Sequence, residues 1–204
     1  MSRRTARAFS ALTLVTAASV LTACGDDSAA NPPGLADQKE TSTSSAAGAG
    51  ADVPKVSNPL DATSLASDPC AALSSEQLAQ FGLGDGEMQS NAGHAGKACR
   101  WKRTEESLDS VDFTVVAENT DGLASVYASK DGSAYFEPTE VAGYPAVYTG
   151  LSDSRDSGTC DLWVGVSDQQ VVYIMTNLVS AESAEASCGL AADVAEAAIT
   201  TLGG

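Results

Sequence analysis

The chain has 204 residues with 27 acidic against 11 basic side chains, a single histidine and a formal charge of −16. Such a field repels phosphate backbones and anionic headgroups, and the one basic cluster, Lys97 to Arg103, is too short to override it, so nucleic-acid binding is excluded. A P-loop, a dinucleotide fingerprint and a nucleophile elbow are all missing from the sequence.

Residues 1–7 carry Arg3, Arg4 and Arg7 and no acid, and a largely apolar run follows from Ala8 to Leu21. Fourteen helical residues rise only about 21 Å, short of a hydrocarbon core of roughly 30 Å. The run therefore reads as the h-region of a signal peptide, residues 1–23, rather than a permanent span. Leu21-Thr22-Ala23-Cys24 resembles the lipobox of bacterial lipoproteins, in which the cysteine is diacylated and becomes the new amino terminus. The resemblance implies lipidation at Cys24 and a place at the outer face of the cytoplasmic membrane. Ser2-Arg3-Arg4 resembles a twin-arginine export signal, but Ala6 and Arg7 stand where apolar residues belong, which leaves the export route open. Removing the three arginines leaves 8 basic against 27 acidic residues, a mature charge of −19. A soluble, monomeric domain is expected.

Residues 24–58 comprise the lipidated terminus and a segment of Ala, Ser, Thr, Gly, Asp and Pro with only Leu35, Val53 and Val56 as larger apolar side chains. It cannot bury enough area to offset its ordering entropy and is expected to be a disordered tether. Its 34 residues after Cys24 would span roughly 30 Å. Thr41 to Ser45 offer hydroxyls for O-linked sugars.

Residues 59–204 hold ten of the eleven aromatic side chains and form one domain. Asp68-Pro69 opens a helix over 69–81, kinked near Leu73, with a capping box at Ser74 to Gln77 and Gly82 as its stop. Strands follow at 87–90, 98–103 and 111–117, the last alternating Val111, Phe113 and Val115 with Asp112 and Thr114. A short helix over 122–130 packs back on the sheet. Hairpins follow at 135–148, turning at Gly143-Tyr144-Pro145, and at 160–177. A helix over 187–201, capped by Ser187, buries the stripe Leu190, Val194, Ala198 and Leu202. The expected class is α+β, a mostly antiparallel sheet with N- and C-terminal helices packed on one face.

With Cys24 lipidated, Cys70, Cys99, Cys160 and Cys188 are an even set in an exported domain, which predicts two disulfides. Spacings of 29, 61 and 28 residues contain no close pair and His94 is the only histidine, so no metal site and no cofactor are expected. Three pairings are possible. Cys70 and Cys188 each begin a terminal helix and Cys99 and Cys160 each open a tryptophan-bearing strand, so pairing like with like favours 70 with 188 and 99 with 160. Trp101 and Trp163 would then lie close together.

Asp68-Pro69-Cys70-Ala71-Ala72-Leu73, Cys99-Arg100-Trp101, Gly143-Tyr144-Pro145-Ala146, Cys160-Asp161-Leu162-Trp163-Val164 and Cys188-Gly189-Leu190-Ala191 resemble an actinobacterial lipoprotein family known only as a domain of unknown function. The resemblance covers residues 60–204 and the lipobox. It implies no activity. One departure is that Cys188 follows Ala186-Ser187 instead of Asp-Pro.

His94 sits in the small-residue turn Ala92 to Gly96, with nothing local to tune it as a general base. Arg100, Lys102 and Arg103 around Trp101 are the candidate ligand platform, a cationic patch on an acidic domain. The expected function is a non-enzymatic binding or interaction module for an envelope component, a small apolar molecule or a membrane protein. A deep, partly apolar cleft between sheet and helices would favour it. Two carboxylates about 5–9 Å apart in an open groove would instead favour a hydrolase of envelope polymers, and a featureless convex surface a structural surface protein.

Overall fold

A computed structural model describes residues 53–90, 96–181 and 183–204. The expected signal peptide, Cys24, most of the expected tether and His94 lie outside these residues.

Among the described residues seven strands form one antiparallel sheet: β1 Gly86–Ser90, β2 Lys97–Lys102, β3 Ser110–Val115, β4 Tyr135–Val141, β5 Tyr144–Gly150, β6 Thr159–Gly165 and β7 Val171–Asn177. Their order is β1-β2-β3-β7-β6-β5-β4. β1, β2 and β3, neighbours in chain order, thus meet the hairpins β4–β5 and β6–β7 along the β3–β7 seam. Helices α1 Thr63–Ser67, α2 Ser75–Phe81 and α4 Ala184–Leu202 lie on the face that carries the main core. The short helix α3, Leu123–Ala128, covers part of the opposite face over Val147 and Val171.

Alternation decides which side chains enter the core. Cys99 and Trp101, Val111 and Phe113, Val172 and Ile174, and Leu162 and Val164 all point at the helices and are buried. α4 answers them with Ala191, Val194, Ala195, Ala198 and Ile199, the three alanines letting the helix approach closely. Leu190 and Leu202 of the expected stripe are only partly buried, at its margins.

Several local expectations are refined. The helix over 69–81 is a 3-10 turn, Pro69–Ala72, then α2, because Leu73 adopts an extended backbone. Asp68 makes no capping bond with its side chain. The capping box at α2 is complete: Gln77 N–H donates to Ser74 Oγ at 3.3 Å and Ser74 N–H to Gln77 Oε1 at 2.8 Å. α4 begins earlier than expected, capped by Ser183, whose Oγ accepts from Ala186 N–H. Ser187 is buried inside the helix and donates to Arg155 O. The β4–β5 turn is Ala142-Gly143, both at positive φ as a two-residue hairpin demands, so Tyr144 and Pro145 are already in β5.

The packed domain also starts before residue 59. Val53 and Val56 pack against the core, Lys55 pairs with Asp168 at 3.3 Å, and Val56 N–H donates to Asp168 Oδ1.

The disulfides join Cys70 to Cys99 and Cys160 to Cys188, at Cα separations of 4.9 and 5.2 Å. The expected like-with-like pairing is therefore wrong. Strands β2 and β6, which carry Cys99 and Cys160, are held apart by β3 and β7, and each cysteine is instead covered by a helical segment lying on it. The 3-10 turn sits over β2 and brings Cys70 onto Cys99, while α4 crosses β6 and brings Cys188 onto Cys160. Gly86 makes the first link possible: a Cβ there would come within 2.5 Å of Cys99 Sγ and 2.7 Å of Trp101 Nε1.

Candidate functional site

β6 and β7 are apolar on both faces, as in Leu162-Trp163-Val164 and Val171-Val172-Tyr173-Ile174, so the face away from α4 also presents large side chains. α3 covers only part of it. Gly122 starts that helix at φ +56°, in a close approach where a Cβ would meet the Asp168 carbonyl oxygen at 2.5 Å. The Gly122 carbonyl accepts from Asn119 Nδ2 at 3.0 Å and from Ser125 Oγ at 3.1 Å, and Asn119 Oδ1 accepts from Asp121 N–H at 3.0 Å. The 116–121 loop is thereby fixed to the helix it precedes.

Pairing of β5 with β6 ends at Tyr148 with Leu162, and the two strands part beyond it. Between the parted end of β5, α3 and the 116–121 loop lies a cleft of about 430 Å³. Trp163 and Thr149 line it from the sheet, Ser125 and Val126 from α3 and Ser129 from its C-cap, and Leu151, 89% exposed, stands at its edge. Glu118 and Asp121 bring the only formal charges among its described lining residues.

Trp163 packs on Tyr173 with ring centroids 4.6 Å apart. Tyr173 donates to Asp161 Oδ1, and Tyr135 donates to Asp161 Oδ2 at 3.4 Å. Burial, reinforced by the Asp161 charge, pushes the Tyr135 hydroxyl up to about 12 and the Tyr173 hydroxyl upward as well. Arg155 lies 4.1 Å over the Tyr135 ring, and its hydrogen bond to Asp153 raises its own pKa.

The expected platform does not form a cationic patch. Arg100 makes a two-pronged pair with buried Asp112, Nε to Oδ1 at 2.8 Å and Nη2 to Oδ2 at 3.0 Å, and that bond raises the guanidinium pKa. Lys102 faces Glu87 at 4.0 Å, and Arg103 faces Asp109 at 3.6 Å, where Ser180 also donates. Arg100 and Lys102 do share one groove on the open face, with Glu105, Glu106 and the 72% exposed Leu108, but Arg103 does not line it. Trp101 is wholly buried on the other face, with no hydrogen-bond partner for Nε1 among the described residues.

The α3 cleft is not evident in the sequence, because its lining residues are scattered from Val116 to Trp163. The consecutive apolar residues of β6 and β7 are the one signal that the second face does more than meet water.

Among the described residues no group of three or more His, Cys, Asp or Glu is placed to hold a metal, and no helix is long and apolar enough to cross a membrane. No curated protein and no solved structure matches the chain. The family described as Protein of unknown function (DUF3558) matches residues 19–201, nearly the whole sequence, and the chain belongs to that family.

Proposed function

We propose that the protein is a lipid-anchored, extracytoplasmic binding module whose ligand enters the cleft between α3 and the sheet. The cleft carries this reading. Its volume falls within the range of about 300–1,000 Å³ usual for small-molecule sites, and its walls combine Trp163, Val116, Val126 and Leu151 with a few polar groups. Support for the anchor comes from the lipobox-like Leu21 to Cys24, which lies inside the family match beginning at residue 19.

The hydrolase alternative needs a carboxylate free to exchange a proton. On the open face Asp112 is clamped by Arg100 and Asp161 accepts from two tyrosines, which leaves Glu118 and Asp121, exposed at the cleft, as the carboxylates such an enzyme would have to use. A purely structural role leaves the cleft without a purpose.

The cleft is tested with Nile red, a neutral apolar dye. The wild-type chain should bind one equivalent, Ser129→Trp should weaken binding by about tenfold or more by filling the space, and Lys102→Met, in the other groove, should leave it unchanged. Equal binding by all three would contradict the reading. For the anchor, Cys24→Ser should release the protein from membranes or leave its precursor uncleaved, and an unmodified mature terminus on wild-type protein from its own host would refute it.

A further inference from the structure

Resting on that reading, we infer that the ligand of the α3 cleft is a small amphiphile with an apolar body and a cationic head. The side chains lining the cleft have used up most of their donors. Ser125 donates to Gly122 O at 3.1 Å, Ser129 to Val126 O at 2.8 Å and Ser133 to Ser129 O at 3.4 Å. Thr149 is held by Tyr135 O and Ser133 Oγ, both at 2.9 Å. Both hydrogens of Asn119 Nδ2 go to Gly122 O and Ser125 Oγ. A hydroxyl has one proton, so, Thr120 and the Trp163 indole apart, the side chains of these walls keep lone pairs to offer and few hydrogens.

Charge points the same way. Glu118 and Asp121 are exposed at the cleft, neither is in an ion pair among the described residues, and no Lys or Arg is among its described lining residues. An anionic ligand would meet two carboxylates and no cationic side chain among the described lining residues. A cationic or donor-rich head placed beside Glu118 and Asp121 is complementary to them, and its apolar body then lies on Trp163, Val126 and Leu151.

The test uses the exported chain carrying Cys24→Ser, so that no acyl chain competes for the cleft. Octylammonium, octanol and octanoate share one body and differ in the head. Each is titrated below its aggregation concentration at pH 7 and low salt, following Trp163 fluorescence. Octylammonium should bind about tenfold more tightly than octanoate, with octanol between them, as two exposed charge contacts allow. Glu118→Gln with Asp121→Asn should bring the three within about twofold, octylammonium losing affinity and octanoate gaining it. Equal affinities in the wild-type sequence, or a cation preference that survives the double substitution, would overturn the inference and leave the cleft reading in place. Failure of all three to bind would overturn the cleft reading and the inference together.

Discussion

Trp101 and Trp163 point to opposite faces of the same sheet. Trp101 stands on β2 beneath the Cys70–Cys99 disulfide and is wholly buried, whereas Trp163 stands on β6 and lines the α3 cleft. The two rings therefore carry different burdens. Trp101→Ala should cost about 3–5 kcal/mol of stability, the usual range for emptying a large core site. Trp163→Ala should cost less and should abolish Nile red binding. Chemical denaturation and dye titration of both variants check this, and a larger stability loss at Trp163 than at Trp101 would reverse the assignment.

Each disulfide closes a short stretch, with sequence separations of 29 and 28 residues. In the chain-entropy model either link contributes about 3–4 kcal/mol. Cys160→Ser with Cys188→Ser should lose that amount while Cys70 and Cys99 stay oxidised, as shown by urea midpoints and thiol counting. Peptide mapping without reductant should find 70 joined to 99 and 160 joined to 188, and any fragment joining 70 to 188 would contradict the fold.

Tyr135 and Tyr173 make stability fall in alkali. The folded Tyr135 hydroxyl titrates at about 12 against an ordinary 10, mainly through burial and then through Asp161. Between those values the unfolded chain binds fewer protons than the folded one, so stability falls as pH rises. The contribution is complete below pH 10 and lost as pH rises through about 12. Tyr173 acts in the same direction. Denaturation midpoints at pH 9 and pH 11.5 should differ clearly in wild type and less in Tyr135→Phe. Identical pH dependence of the two proteins would count against the buried hydroxyl.

Strand positions and the α2 capping box are legible in the sequence because they depend on local alternation and local hydrogen bonds. The order of strands is not local. Nothing between Lys102 and Thr159 states that β3 and β7 will separate β2 from β6, and that separation is what forbids a Cys99–Cys160 link. The start of α4 shows a smaller version of the same difficulty. Ser183 and Ser187 are equally good caps by residue type, and the burial of Ser187 against the Arg155 carbonyl decides between them. Arg100 and Lys102 were readable as neighbours on one strand face, but Asp112, the partner that neutralises Arg100, comes from the adjacent strand. The cleft depends on a still less local feature, the parting of β5 from β6 under α3.

The most direct test of a ligand site under α3 is amide hydrogen exchange with and without saturating octanol. Exchange should slow in residues 116–121 and 123–128 and at the parted end of β5, with residues 105–108 by the Arg100 groove unchanged. Slowing confined to 105–108, or no slowing in α3 at saturation, would contradict it.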